Sequence, residues 1–113
     1  MIVKKLEETA RVNNPHNVES RNLCSREEVS VTVVTLQPGE SLKKHITPVD
    51  VLFYVLEGQG IVQIGDEKQL VTKDSLVESP RDIMHCWYNE SSSPVKFMVI
   101  KAPKPTEKTV FID

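Results

Sequence analysis

Three histidines and two cysteines are the side chains in this sequence best suited to holding a borderline metal ion or to moving a proton: His16, His45, His85, Cys24 and Cys86. The cysteines are too few for a disulfide framework, and they lack the close pairing of a zinc ribbon or a redox C-x-x-C. Both are expected to be plain reduced thiols. A nucleophilic role would need a base and an electropositive setting beside the thiol, and the sequence supplies neither. Side-chain alternation puts His85, Trp87 and Asn89 on one face and Met84, Cys86 and Tyr88 on the other, so Cys86 is a poor partner for His85. His16 sits in the polar break Asn13-Asn14-Pro15-His16-Asn17, where a solvated loop histidine is the ordinary outcome.

The elements that must position these side chains read as strands. After residue 28, short runs rich in Val, Ile, Leu and Phe recur between Pro, Gly, Asp and Asn, and helix-period patterns are almost absent. Strands are expected at Val29 to Leu36, Val51 to Glu57, Gly60 to Ile64, Gln69 to Val71, Ser75 to Val77, His85 to Tyr88 and Val95 to Ile100. Gln37-Pro38-Gly39-Glu40 suits a type II turn, since proline presets φ and glycine accepts φ > 0. Glu57-Gly58-Gln59-Gly60 and Gly65-Asp66-Glu67 suit hairpin connections. The reading is all-β, with an N-terminal arm over 1–28, a barrel over 29–101 and a tail over 102–113 packed on or extending from it.

Length and charge exclude several classes of function. A chain of 113 residues fits one domain. The net charge of −2, with no basic cluster beyond Lys43-Lys44, lacks the electrostatic footprint of a nucleic-acid binder. No apolar run approaches the ~20 residues of a membrane span. The N-terminus Met1-Ile2-Val3-Lys4-Lys5-Leu6-Glu7-Glu8 is charged too often for a secretory signal, which points to a cytoplasmic protein whose partners are small molecules.

Gly39, His45 and Gly58 stand at the offsets of the first cupin motif, G-x5-H-x-H-x3-E-x6-G. Pro80, His85 and Asn89 stand at those of the second, G-x5-P-x-G-x2-H-x3-N. The chain therefore resembles a small single-domain cupin over roughly Val29 to Lys101. The resemblance implies a cupin-type double-stranded β-helix, or jelly-roll barrel. It also implies a metal site of three histidines and a glutamate, of which His45 and His85 alone remain as ligands, because Thr47 replaces the second histidine and Val51 the glutamate. Asp74 and Asp82 replace two glycines, which aspartate tolerates because it accepts the left-handed region better than most residues.

Two functions follow. In one, a divalent transition ion (Zn, Ni, Cu, Mn or Fe) binds His45 and His85 and polarises a small-molecule substrate, with Asp50 as the candidate third ligand and Thr47 or His16 as lesser ones. Asp50 is one residue out of phase with the lost glutamate and reaches the cavity only through a bulge. In the other, the pocket is metal-free and binds a sugar-like or anionic molecule without catalysis. Thr47, Val51, Phe53 and Trp87 are the expected ligand-lining residues in either case. Outward apolar positions such as Leu52, Tyr54, Leu56 and Tyr88 would expose a patch large for a monomer, so a homodimer is expected.

Overall fold

The computed structural model describes residues 1–112. Ten strands follow one another: β1 (Glu19–Ser25), β2 (Ser30–Leu36), β3 (Ser41–Ile46), β4 (Val51–Glu57), β5 (Gln59–Ile64), β6 (Glu67–Thr72), β7 (Leu76–Ser79), β8 (His85–Tyr88), β9 (Val95–Lys101) and β10 (Val110–Phe111). They form two five-stranded antiparallel sheets, ordered β1-β2-β9-β4-β7 and β10-β3-β8-β5-β6. The only helical element among the described residues is one 3-10 turn over Leu6–Glu8, and none is long and apolar enough to cross a membrane. This is the all-β jelly-roll expected of the sequence.

Alternation does the sorting. In β4 the odd positions Val51, Phe53 and Val55 are buried and the even ones Leu52, Tyr54 and Leu56 only partly so, as a strand with one face on a core requires. In β9 Val95 and Phe97 are fully buried on the same inward series that continues through Val99 to Lys101. Where the two sheets face each other, Trp87 stacks on Phe97 with ring centroids 4.1 Å apart and planes 13° apart, and Phe53 meets Trp87 edge-on at 5.4 Å. That aromatic contact closes the core.

The expected strands are all present with small shifts at their ends, and three more appear. β1 pairs the end of the N-terminal arm with β2, and β10 lays the C-terminal tail along β3. The third, β3, carries His45 and was not anticipated. Its inward residues are Leu42 and His45, three apart, which a regular strand cannot put on one face. The register against β8 shifts between Leu42 and His45, so a bulge takes up the extra residue and turns Lys43 and Lys44 outward.

The turn chemistry agrees with the sequence. Gly39 takes φ +86° and the Glu40 amide donates to the Gln37 carbonyl at 2.9 Å. Asp74 and Asp82, standing where the cupin motif has glycine, take φ +65° and +63°.

Candidate functional site

His45 and His85 lie directly opposite one another on β3 and β8, so their side chains must share the inward face. Their Nε2 atoms are 3.0 Å apart and their rings meet at 72°, with centroids 4.4 Å apart. The hydrogen-bond partners determine which nitrogens carry protons. The Lys43 carbonyl, 2.6 Å from His45 Nδ1, can only accept, so Nδ1 is protonated and His45 Nε2 presents a lone pair. His85 Nε2, facing that lone pair, is therefore the N–H donor, with Thr47 Oγ1 also 3.2 Å away. His85 Nδ1 then accepts from the Ser79 hydroxyl at 2.7 Å. Every nitrogen of the pair has a partner within the protein.

The third histidine joins them from the arm. The Lys43 amide donates to His16 Nδ1 at 2.8 Å, and the His16 ring packs against His45 and Phe111 with centroids 4.9 and 5.3 Å away. One residue of the β3 bulge thus holds two imidazoles, His16 through its N–H and His45 through its C=O. Because His16 Nδ1 accepts from a backbone amide, Nε2 carries the ring proton, and it has no protein partner among the described residues.

His16, His45 and His85 line one cavity of about 200 Å³ together with Asn14, Ser20, Thr32, Val34, Phe53, Val99 and Lys101. Among the described residues no aspartate or glutamate lines it. A larger groove of about 750 Å³ opens between β6 and β7, but it is lined by aliphatic side chains, hydroxyls, Gln69, Glu67 and Glu78, without an imidazole or amine. The imidazoles are therefore gathered in the smaller cavity.

Burial lowers the basicity of all four cationic groups there. It takes His85 down to about 3, helped by His45, Lys101 and His16, and His16 down to about 4, helped by His45, Lys43 and Lys101. Burial also lowers His45, against the raising effect of its bond to the Lys43 carbonyl, and lowers Lys101. Burial thus favours the uncharged form of the three imidazoles, and Lys101 is the one lysine or arginine among the described residues that line the cavity.

The structure brings some predicted site residues together and leaves others apart. Phe53 lines the cavity, edge-on to His85 at 5.3 Å. Thr47 is fully buried behind His85. Val51 and Trp87 are buried in the core and do not line the cavity. Asp50 is turned outward: it is exposed, accepts from the Arg81 amide at 2.8 Å and lies 3.9 Å from the Arg81 guanidinium. Cys86 is fully buried on the face away from His85, its thiol 3.2 Å from the Tyr88 hydroxyl, which donates to Gln63 at 3.0 Å.

These positions do not fit the cupin metal site. Borderline ions need three or more protein ligands, and only His45 and His85 converge. Asp50 faces away, His16 offers an N–H rather than a lone pair, and a lysine ammonium shares the cavity. Among the described residues no three His, Cys, Asp or Glu side chains are grouped to hold an ion.

Lys101 and Ser79 are the site residues that sequence reasoning missed. Lys101 was legible in principle, since the alternation Val95, Phe97, Val99 points the next odd residue inward. The expected strand stopped one residue short of it.

Solved structures share this architecture. TT1209 from Thermus thermophilus is 31% identical, with a TM-score of 0.80 over 93% of this chain and 100% of that one. The plu4264 protein of Photorhabdus luminescens is 24% identical, with a TM-score of 0.81 over 92% of this chain and 89% of the other. The polyketide cyclase RemF from Streptomyces resistomycificus is 17% identical, with a TM-score of 0.87 over 100% of this chain and 86% of its own; at that identity the likeness is one of fold. No curated protein matches the sequence. Residues 32–101 match the family model of the cupin domain.

Proposed function

Starting from the fact that the chain belongs to the cupin domain family, we propose that its barrel mouth binds a small organic anion without a resident metal. The anionic group faces Lys101 and His16, and the apolar body lies against Val34, Phe53 and Val99. One observation carries this reading. A half-buried amine with no ion-pair partner among the described residues shares a cavity with an unpartnered imidazole N–H, and no acidic side chain among the described residues lines that cavity. All five ion pairs of the described residues lie elsewhere. A carboxylate would supply the missing counter-charge, and charge-assisted hydrogen bonds are the strong ones. The apolar wall with a few convergent donors is the usual composition of a small-molecule pocket.

The test is a titration of propionate and benzoate into protein prepared without an affinity tag, followed through the histidine ring resonances. Saturable binding that weakens with salt is expected, and Lys101→Met should weaken it by about tenfold or more, the worth of one charged hydrogen bond. Binding indifferent to Lys101→Met would overturn the assignment. A stoichiometric transition metal in the same preparation, lost on His45→Ala, would overturn the metal-free part and restore the ion-binding reading.

A homodimer through the outer face of the sheet containing β4 and β9 belongs to the same proposal. Leu52, Tyr54, Leu56 and Ile100 on that face are only partly covered. A monomeric mass by light scattering at micromolar concentration would exclude it.

A further inference from the structure

The groove of about 750 Å³ between β6 and β7 opens between two sheet edges. Among the described residues β6 pairs with β5 alone and β7 with β4 alone, so each ends its sheet with a row of backbone N–H and C=O groups free on one side. Leu70, Val71, Leu76 and Val77 give the groove an apolar wall, and Leu70 and Leu76 are each 55% exposed. Glu67 and Glu78 add negative charge and belong to none of the five ion pairs of the described residues. No lysine or arginine among the described residues lines the groove. A segment that adds as a strand and carries apolar side chains beside positive charge fits such an edge.

Residues 1–5 have that composition. Met1, Ile2 and Val3 lie outside any helix or strand and are the most exposed large apolar side chains among the described residues, at 115%, 83% and 77%. Lys4 and Lys5 follow them, both exposed. The segment is rooted on β1, at the opposite edge of the sheet that ends in β7. Lys4 Nζ donates to the Leu23 carbonyl at 2.8 Å, and the Arg21 guanidinium donates to the Leu6 carbonyl at 3.4 Å. Four strand spacings separate β1 from β7, about 19 Å, while the three residues before Lys4 reach about 10 Å. The groove of the same copy is therefore out of their reach.

We propose that Met1, Ile2 and Val3 of one copy dock along the free edges of the β6–β7 groove of a second copy, with Lys4 and Lys5 at its acidic rim. This rests on the homodimer proposed above and names a contact that closes it. The β4–β7 register sets Leu76 opposite Tyr54 and Glu78 opposite Leu52, so the rim of the groove continues the outer face through which the copies pair. A two-fold axis along the strands lays the β1 edge of each copy over the β7 edge of the other. Stacked sheets stand about 10 Å apart, the length of the docking segment. Each copy then gives one segment and takes one, and the assembly closes as a dimer.

The experiment treats the full chain, at a concentration where light scattering reads a dimer, with a carbodiimide that joins a lysine to a carboxylate in direct contact. Denaturing electrophoresis then separates chains joined in pairs from single chains. Peptide mass spectrometry of the doubled band should find Lys4 or Lys5 joined to Glu67 or Glu78, and the single-chain band should lack that link. Ile2→Asp should raise the dimer dissociation constant by about tenfold or more, and so should Glu67→Lys with Glu78→Lys. Adding Lys4→Glu and Lys5→Glu to the latter pair should recover most of the loss, because reversed charges restore one another only where they meet. A thermal melt checks the folding of each variant. A dimer whose doubled band lacks the link, or the link found within single chains, overturns the exchange and leaves the face-to-face dimer standing. A dimer indifferent to Ile2→Asp does the same. A monomeric mass overturns the two together.

Discussion

The two ends of the barrel interior are built from the same strands, yet they hold opposite chemistry. At one end Phe53, Trp87 and Phe97 interlock, with Phe97 and Trp87 fully buried and stacked. At the other end β8 presents His85 and β9 presents Lys101, each two or four residues along the same inward series. The packed end excludes water and fixes the distance between the sheets. The open end uses that fixed distance to hold His45 and His85 within hydrogen-bond reach. The lesson is a division of labour along single strands: rigidity is assembled from the positions next to those that carry the polar site.

The largest expected effect tests the packed end. Phe97→Ala removes a ring that touches both Trp87 and Phe53, and should lower unfolding stability by about 3–5 kcal/mol in urea denaturation. A loss below about 1 kcal/mol would mean that the aromatic layer does not hold the sheets together, and the contrast between the ends would fail.

Next comes acid, which should act on the open end alone. His85 is neutral when folded, with its pKa pushed down from 6.5 to about 3, while the unfolded chain takes up a proton near 6.5. The unfolded state thus binds more protons, so stability rises with pH through this window. The contribution is complete above pH 6.5 and is lost as pH falls toward about 3, with His16 adding the same sign down to about 4. Between pH 7 and pH 5 the His85 contribution should fall by about 2 kcal/mol, read from urea midpoints. In His85→Gln the drop between those two pH values should shrink. An equal drop in the variant would place the acid sensitivity elsewhere.

How much of this was legible in the sequence depended on whether a residue obeyed its strand's period. His85, Trp87 and Asn89 follow the alternation of β8, and all three are buried as expected. Val51, Phe53 and Val55 do the same on β4. The positive φ of Asp74 and Asp82 followed from the motif offsets and the tolerance of aspartate for that region. His45 was identified by its offset from Gly39, but its strand was not, because the bulge between Leu42 and His45 breaks the period on which strand recognition relies. His16 entered the site through a backbone contact to Lys43 twenty-seven residues away, which no local pattern encodes. Lys101 was lost to a strand end drawn one residue early, an ordinary error with a large consequence because the residue lines the cavity beside the three histidines.

Ser79 offers a smaller and sharper test of the open end. Its hydroxyl is buried and sits 2.7 Å from His85 Nδ1, so Ser79→Ala leaves that nitrogen unpaired inside the protein. A loss of roughly 1–2 kcal/mol is expected, the ordinary cost of an orphaned buried acceptor. Nitrogen chemical shifts provide the sharper readout. The wild type should show His45 as the Nδ1–H tautomer and His85 as the Nε2–H tautomer, as the carbonyl of Lys43 demands. His85 found as Nδ1–H would put two lone pairs against each other at 3.0 Å, an arrangement that a cation between them would stabilise, and the metal-free reading would fall.

The smallest expected effect on stability has the opposite sign, and for that reason discriminates best between the ends. Replacing a packed ring costs stability, whereas Lys101 is a half-buried charge without an ion-pair partner among the described residues. Lys101→Met keeps most of the side-chain volume and removes the desolvated charge, so the protein should be unchanged or slightly more stable, within about 1 kcal/mol. A stabilised variant that no longer binds propionate would show that the chain carries Lys101 at a cost to stability for the sake of its ligand. A variant destabilised by as much as Phe97→Ala would instead make Lys101 part of the packing, and the distinction between a structural end and a binding end would no longer hold.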